Sequence, residues 1–204
     1  LIEATVSGSY TVITLNKEAK TAEMVQPTVT VIFNLSGKGD DIVKEIPVAS
    51  FDARTVKAEA EGFKLVGWFT KSEAEGFGSQ VYWIYSSDLK NYVGSSVTYY
   101  AKWTPAATVT FHDGDSVYKT VTTYYVGDSV SSDDIVTLKD ETKARKFDGW
   151  YTKDGSADGD WGNKVSSSTK VADVTVNFYA KWLPAVKVNV YDGETLVKSF
   201  ENVK

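Results

Sequence analysis

The chain has 204 residues, enough for one or two domains, and its hydrophobic (42%) and charged (24%) fractions match an ordinary globular protein. The absence of Cys excludes disulfide scaffolds and thiolate metal sites, and a single His, His112, argues against histidine-based catalysis. The net charge of −5 argues against a nucleic-acid partner. No apolar run approaches the roughly 20 residues that cross a bilayer, so we expect no membrane insertion.

Residues 1–27 share no motif with the rest of the chain. Residues 5–7 and 10–15 resemble two strands around Gly8-Ser9, and residues 16–26 fit a helical turn or a linker. We interpret 1–27 as N-terminal strands or the end of a preceding domain. Because the chain starts at Leu1 and stops inside a strand-like segment, we expect it to be a processed chain or a piece of a longer one.

Residues 28–104 are predicted to form a first module. Its helix is predicted from Ser50 as the N-cap, apolar residues spaced at i, i+3 and i+7, and Gly62 as the stop. A long insert, residues 73–85, separates its last two strands. The predicted order is strand, strand, helix, strand and strand, over residues 29–35, 43–48, 51–61, 64–70 and 97–103.

Residues 105–183 repeat this pattern as a second module. Gly67-Trp68 recurs as Gly149-Trp150, and Ala101-Lys102-Trp103 recurs as Ala180-Lys181-Trp182, in each case about 80 residues later. The counterpart of the helix is shorter, over residues 135–139.

Residues 184–204 carry only the first hairpin of a third module. The hairpin signal Asp113-Gly114 of the second module recurs there as Asp192-Gly193. Short links at Pro105 and Pro184 are expected to end each strand ladder and to stiffen the joint between modules.

The predicted fold class is therefore α+β and β-rich: tandem β-grasp-like modules with the order β-β-α-β-β in a semi-rigid array. Each Gly of the Gly-Trp pairs is expected to make room for an aromatic ring of the neighbouring strand. The predicted core residues are Phe33, Leu65, Phe69 and Tyr99 in the first module, and Phe111, Phe147, Tyr151 and Phe178 in the second.

The combination of Gly-Trp-Phe/Tyr-Thr with Tyr/Phe-Tyr-Ala-Lys-Trp resembles the Listeria–Bacteroides repeat, also called the internalin B-repeat-like family. The resemblance covers residues 28–103, 107–182 and 186–204. This sequence departs from the family pattern in its long insert and in the turn after the first strand. The resemblance implies β-grasp spacers of secreted or surface proteins of bacteria, where many copies form stalks or adhesive regions.

Two motifs invite a chemical interpretation. His112 lies near Asp113 and Ser116, but three residues of one hairpin turn do not make a catalytic triad, and we favour an exposed turn histidine. Asp154, Ser156, Asp158 and Asp160 match the opening of a calcium loop, yet position 12 is Val165 where a bidentate Glu is needed. We therefore keep calcium as a weak candidate and favour an acidic hairpin loop.

Six Trp residues raise the alternative of a ligand-binding surface. Four of them occupy matching positions of the repeat, which indicates packing: Trp68, Trp103, Trp150 and Trp182. Trp83 and Trp161 fall in the variable loops and are the predicted ligand contacts.

The sequence predicts a non-catalytic structural or spacer repeat of a bacterial cell-surface or secreted protein, adhesive or self-assembling, located outside the cell or in the cell wall. We expect no enzyme activity and no cofactor. The predicted partners are neighbouring repeat modules or chains. One alternative is a binding module for a host protein or glycan through the variable loops. Another is an accessory domain of a glycan-active enzyme.

Overall fold

The structure, a computed structural model, describes residues 12–16, 21–25, 27–142, 145–184 and 186–203. β-Strands make up about half of these residues, and the chain divides into two compact units with the boundary between Thr104 and Pro105. The strands are β1 (Val12–Asn16), β2 (Thr21–Val25), β3 (Thr28–Asn34), β4 (Ile42–Pro47), β5 (Phe51–Asp52), β6 (Phe63–Phe69), β7 (Gln80–Val81), β8 (Trp83–Ile84), β9 (Ser96–Asp113), β10 (Ser116–Tyr125), β11 (Arg145–Tyr151), β12 (Thr175–Pro184), β13 (Val186–Asp192) and β14 (Thr195–Val203).

Helical structure in these ranges is short. The four-residue helix α1 covers Ser86–Leu89, and single 3₁₀ turns cover Ala53–Thr55, Glu73–Glu75 and Lys90–Tyr92. None of these helices is long and apolar enough to cross a membrane.

The first unit is built on a mixed sheet with the strand order β4-β3-β9-β6-β7. β3 is antiparallel to β4 and parallel to the first part of β9, with Phe33 opposite Tyr99. β5 pairs with β8, and β1 pairs with β2, in two small antiparallel ladders outside this sheet.

The second unit repeats this arrangement with the strand order β10-β9-β12-β11. The last part of β9 is antiparallel to β10 and parallel to β12, with Phe111 opposite Phe178. β13 and β14 form a separate antiparallel hairpin. In both units the Gly-Trp strand lies beside the Ala-Lys-Trp strand, as the sequence predicts.

A Trp ring packed edge-to-face on a Phe ring forms the centre of each core. Trp68 lies 4.8 Å from Phe33, and Trp150 lies 5.0 Å from Phe111, between ring centroids. The core prediction is confirmed for the buried side chains Phe33, Phe69, Tyr99, Phe111 and Phe178. Leu65, Phe147 and Tyr151 are only half-buried.

The predicted α+β class is wrong. Residues 51–61 contain β5, the turn Ala53–Thr55 and irregular chain instead of a helix, and residues 135–139 contain no helix. α1 lies instead between β8 and β9. A tandem β-β-α-β-β array is therefore not present in the described ranges, and the fold is mostly β.

Trp side chains bond to both segments that the sequence predicts as helices. The indole N–H of Trp68 donates to the Val56 carbonyl at 3.1 Å, and that of Trp150 donates to the Val136 carbonyl at 2.7 Å. In a helix over 51–61 the Val56 carbonyl would accept the N–H of Ala60, so the bond to Trp68 competes with that helix. A helix over 135–139 leaves the Val136 carbonyl free, because the last four carbonyls of a helix have no partner within it. Ile135 and Val136 are also β-branched, which lowers helix propensity.

Two further expectations are corrected. Pro105 does not end a ladder, because it lies inside β9. Its carbonyl accepts a hydrogen bond from the Val126 N–H, although proline has no N–H to donate in return. The neighbours of the two glycines are not aromatic rings. Gln80 lies over Gly67, and Lys164 lies over Gly149.

Candidate functional site

The segment that joins β6 to β9 in the first unit is anchored by two buried side chains and displays aromatic rings. Ile84 and Leu89 belong to the core cluster. Around them, the side chains of Tyr82, Trp83 and Tyr85 are 51%, 42% and 55% exposed. The corresponding segment of the second unit, residues 152–174, has a single aromatic residue, so this display is specific to the first unit.

Strand pairing places Trp83 at the surface. β8 pairs with β5, which puts Trp83 opposite Asp52. Asp52 accepts a 2.8 Å hydrogen bond from the Arg54 side chain, and the Arg54 guanidinium lies 5.6 Å from the Trp83 ring centroid. One positive charge is therefore already close to the Trp83 ring.

Two adjoining cavities, of about 540 Å³ and about 360 Å³, form what we call the aromatic groove. Thr70, Asp88 and Tyr99 line both cavities. The larger cavity also has Glu75, Asn91 and Tyr92 in its wall, and the smaller also has Tyr82, Trp83 and Tyr85. Volumes of this order are typical of small-molecule sites, roughly 300–1,000 Å³.

Tyr99 lines this groove, and its hydroxyl is in reach of solvent. The residue is 8% exposed, and within the described part of the chain its hydroxyl has no hydrogen-bond partner. Burial, and then the neighbouring Asp88 and Tyr92, raise the pKa of Tyr99 to about 12, so the hydroxyl stays neutral. The second unit has Phe178 at the matching register position, so the core itself does not require the hydroxyl.

Polar side chains with unused capacity surround Tyr99. The Asp88 carboxylate has no hydrogen bond or ion pair to any described residue. Glu75 is partly used, because the Ser72 hydroxyl donates to it at 2.8 Å, and this hydrogen bond lowers the pKa of Glu75. Asp88 and Tyr99 are thus two groups of the groove whose side chains are open to a ligand.

Trp161, the second predicted ligand contact, is used mainly in packing. Its ring is half-buried, lies 6.0 Å from Tyr151 between centroids, and covers Gly155, where an added Cβ would come within 2.6 Å of the indole. The first unit has the equivalent contact between Phe69 and Phe77 at 5.5 Å. Trp161 also lines a cavity of about 340 Å³ together with Asp113, Arg145 and Asp154.

The calcium candidate has its oxygens engaged in the loop itself. Asp154 accepts the backbone N–H of Ser156, and Asp158 accepts that of Asp160. Asp160 forms an ion pair with Lys153 at 2.5 Å and accepts the N–H of Gly162. Across the described ranges, no three acidic or His side chains are grouped as metal ligands.

His112 is not the exposed turn residue that the sequence predicts. It lies within β9, is half-buried, and stacks on Tyr179 with a centroid distance of 5.1 Å. Its Nε2 is 2.9 Å from the side-chain oxygen of Asn177. Through these contacts with β12, His112 acts as a packing residue.

Comparison of the chain with protein-family models, with curated proteins and with solved structures finds no match.

Of the groove residues, the sequence pointed to Trp83 and missed Asp88 and Tyr99 as site residues. Asp88 and Tyr99 are distant from Thr70 and Glu75 along the chain, and only the pairing of β6 with β9 brings them together. One signal was present in the sequence: the difference between Tyr99 and Phe178 at equivalent positions of the repeat.

Proposed function

We propose that this chain is a non-catalytic structural repeat of a bacterial cell-surface or secreted protein, related to the Listeria–Bacteroides repeats. The observation that carries this proposal is the reuse of the motif residues in the same packing roles in both units. Trp103 donates to the Leu35 carbonyl at 2.9 Å, and Trp182 donates to the Asp113 carboxylate at 2.7 Å. Motif residues used in this way maintain the fold of each unit.

Surface labelling tests the location and the class of protein. Antibodies raised against the purified 204-residue chain should label intact, unpermeabilised cells of the source bacterium or its culture medium. An antibody against a cytoplasmic protein of the same cells is the control for lysis. Labelling that appears only after permeabilisation contradicts a surface or secreted role.

A second function, binding of a host protein or glycan, is favoured by one specific observation. The aromatic groove occurs in the first unit, where the segment between the Gly-Trp and Ala-Lys-Trp strands departs from its counterpart in the second unit. In this role the repeat supplies the scaffold, and the variable segment supplies the contacts.

A neighbouring chain is the partner that we propose for the hairpin of β13 and β14. Every described side chain from Val186 to Phe200 is exposed, including apolar residues on both strands. An exposed apolar ladder with unpaired edges favours association with another chain.

A further inference from the structure

We propose that the aromatic groove of the first unit is a carbohydrate site for neutral sugars, with Trp83 as a stacking surface and with Asp88 and the Tyr99 hydroxyl as hydrogen-bonding groups. The proposal rests on the second function above and assigns it to residues and to a ligand class.

The aromatic side chains provide the apolar part of such a site. Tyr82, Trp83 and Tyr85 are consecutive or nearly so, are more than two-fifths exposed, and line one wall of the groove. The C–H face of a pyranose ring carries a slight positive charge, and the face of an aromatic ring is negative, so the two attract when stacked.

The polar groups provide the other part. Sugar hydroxyls both donate and accept hydrogen bonds, and they need partners of both kinds. Asp88 only accepts, while the neutral Tyr99 hydroxyl can donate or accept. The Tyr99 hydroxyl is in reach of solvent and has no hydrogen-bond partner among the described residues. A bound sugar hydroxyl therefore takes the place of water as its partner.

The charges argue against acidic ligands in the groove and against a second cation at the Trp83 ring. Asp88 and Glu75 repel anions such as phosphate or acidic sugars. A cationic ligand is disfavoured at Trp83, because the Arg54 guanidinium already lies 5.6 Å from its ring. Hexoses and N-acetylhexosamines carry neither charge.

The test uses the full 204-residue chain and three kinds of probe: an array of neutral hexose and N-acetylhexosamine oligosaccharides, a set of sialylated or sulfated oligosaccharides, and choline. The strongest neutral probe is then titrated calorimetrically against three variants. We expect Trp83→Ala to weaken binding about 10-fold or more and Asp88→Asn about 10-fold. Tyr99→Phe should weaken binding about 5-fold, with no loss of thermal stability, since Phe178 occupies the equivalent position. Tyr191→Ala, at an equally exposed ring of β13, is the matched control and should bind like the parent.

Each outcome decides a different part of the proposal. If none of the probes binds, the carbohydrate site is wrong and glycan binding is wrong with it. If a neutral sugar binds but the three variants bind like the parent, the function stands and the site is wrong. If choline or the acidic sugars bind and neutral sugars do not, the ligand class is wrong.

Discussion

At the scale of single residues, the two Gly-Trp pairs are explained by backbone geometry. Gly67 and Gly149 have φ of +156° and +153°, a region that side chains with a Cβ rarely adopt. β11 is bulged at Gly149, with Phe147 opposite Trp182 and Gly149 opposite Lys181. Alternation along a regular strand would place Trp150 on the face opposite to Phe147. The bulge instead turns Trp150 into the core.

Gly149→Ala should therefore destabilise the protein by about 1–3 kcal/mol, because the backbone strain of a positive φ remains wherever the side chains move. An added Cβ would also lie 2.4 Å from Cε of Lys164. Urea unfolding of Gly149→Ala, alone and combined with Lys164→Ala, separates the two effects. We expect the second substitution to recover only part of the loss. Full recovery would show that the contact, and not φ, dictates glycine.

Trp150→Phe tests the indole hydrogen bond to the segment where the second helix is predicted. The variant leaves the Val136 carbonyl without its donor and leaves a small cavity in the core, so we expect a loss of about 2–3 kcal/mol. Trp182→Phe is the matched control: Trp182 is half-buried, and its acceptor, the Asp113 carboxylate, is accessible to water. Equal losses in urea unfolding for the two variants would contradict the special role of Trp150.

At the scale of elements, tertiary partners override local signals in the segment after β10. The sequence predicts a helix there from the cap Ser132-Asp133-Asp134 and the apolar residues that follow. In the structure, Asp134 instead binds two residues of β10: it pairs with Lys119 and accepts the Tyr124 hydroxyl at 2.5 Å. The Tyr124 hydroxyl in turn accepts the Ser131 N–H at 2.7 Å. These contacts clamp the segment to the strand.

The Asp134 clamp predicts a pH-dependent stability. Burial alone raises the pKa of Asp134, but the hydrogen bonds from Lys119 and Tyr124 outweigh it, and the pKa lies below its ordinary value. A lowered pKa means that the folded state favours the charged form. The stabilisation is therefore complete above pH ~4 and is lost as the pH falls through the folded pKa.

Asp134→Asn should accordingly cost about 1–2 kcal/mol at neutral pH and less below pH ~4. Asp160→Asn, in an exposed ion pair with Lys153, is the control and should unfold like the parent at both pH values. The measurement is the free energy of unfolding in urea across this pH range. A constant difference between parent and Asp134→Asn at all pH values would contradict the clamp.

At the scale of the whole molecule, the sequence could predict the strands, the duplicated core and the adjacency of the two Trp strands. Buried residues alternate along β3 and β9, so local periodicity carries the information. The helices were mispredicted because tertiary contacts compete with them: the Val56 carbonyl bonds to the indole of Trp68, and Asp134 bonds to Lys119 and Tyr124 of β10. The candidate site was half predicted: Trp83 stands in a variable loop, whereas Tyr99 matters only through the groups that folding places around it.

The last prediction concerns the hairpin of β13 and β14. Val188 and Val190 correspond to Val109 and Phe111 by their spacing from the Asp-Gly turn, yet they are 39% and 44% exposed, while Val109 and Phe111 are fully buried. In both units the equivalent strand pairs with a parallel Ala-Lys-Trp strand. β13 has no such neighbour in the described ranges.

For the 204-residue chain in solution, we therefore expect a second copy to cover this hairpin. Light scattering at increasing protein concentration should show the intact chain growing in mass, and deletion of residues 186–204 should abolish the growth. Val190→Lys places a charge on the exposed apolar surface and should abolish the growth in mass, like the deletion. Lys198→Glu is the control: it changes a charge on β14 but removes no apolar side chain. Comparing the two variants separates loss of apolar contact from a change of charge. A chain that is monomeric at every concentration, with or without the hairpin, contradicts association through this surface.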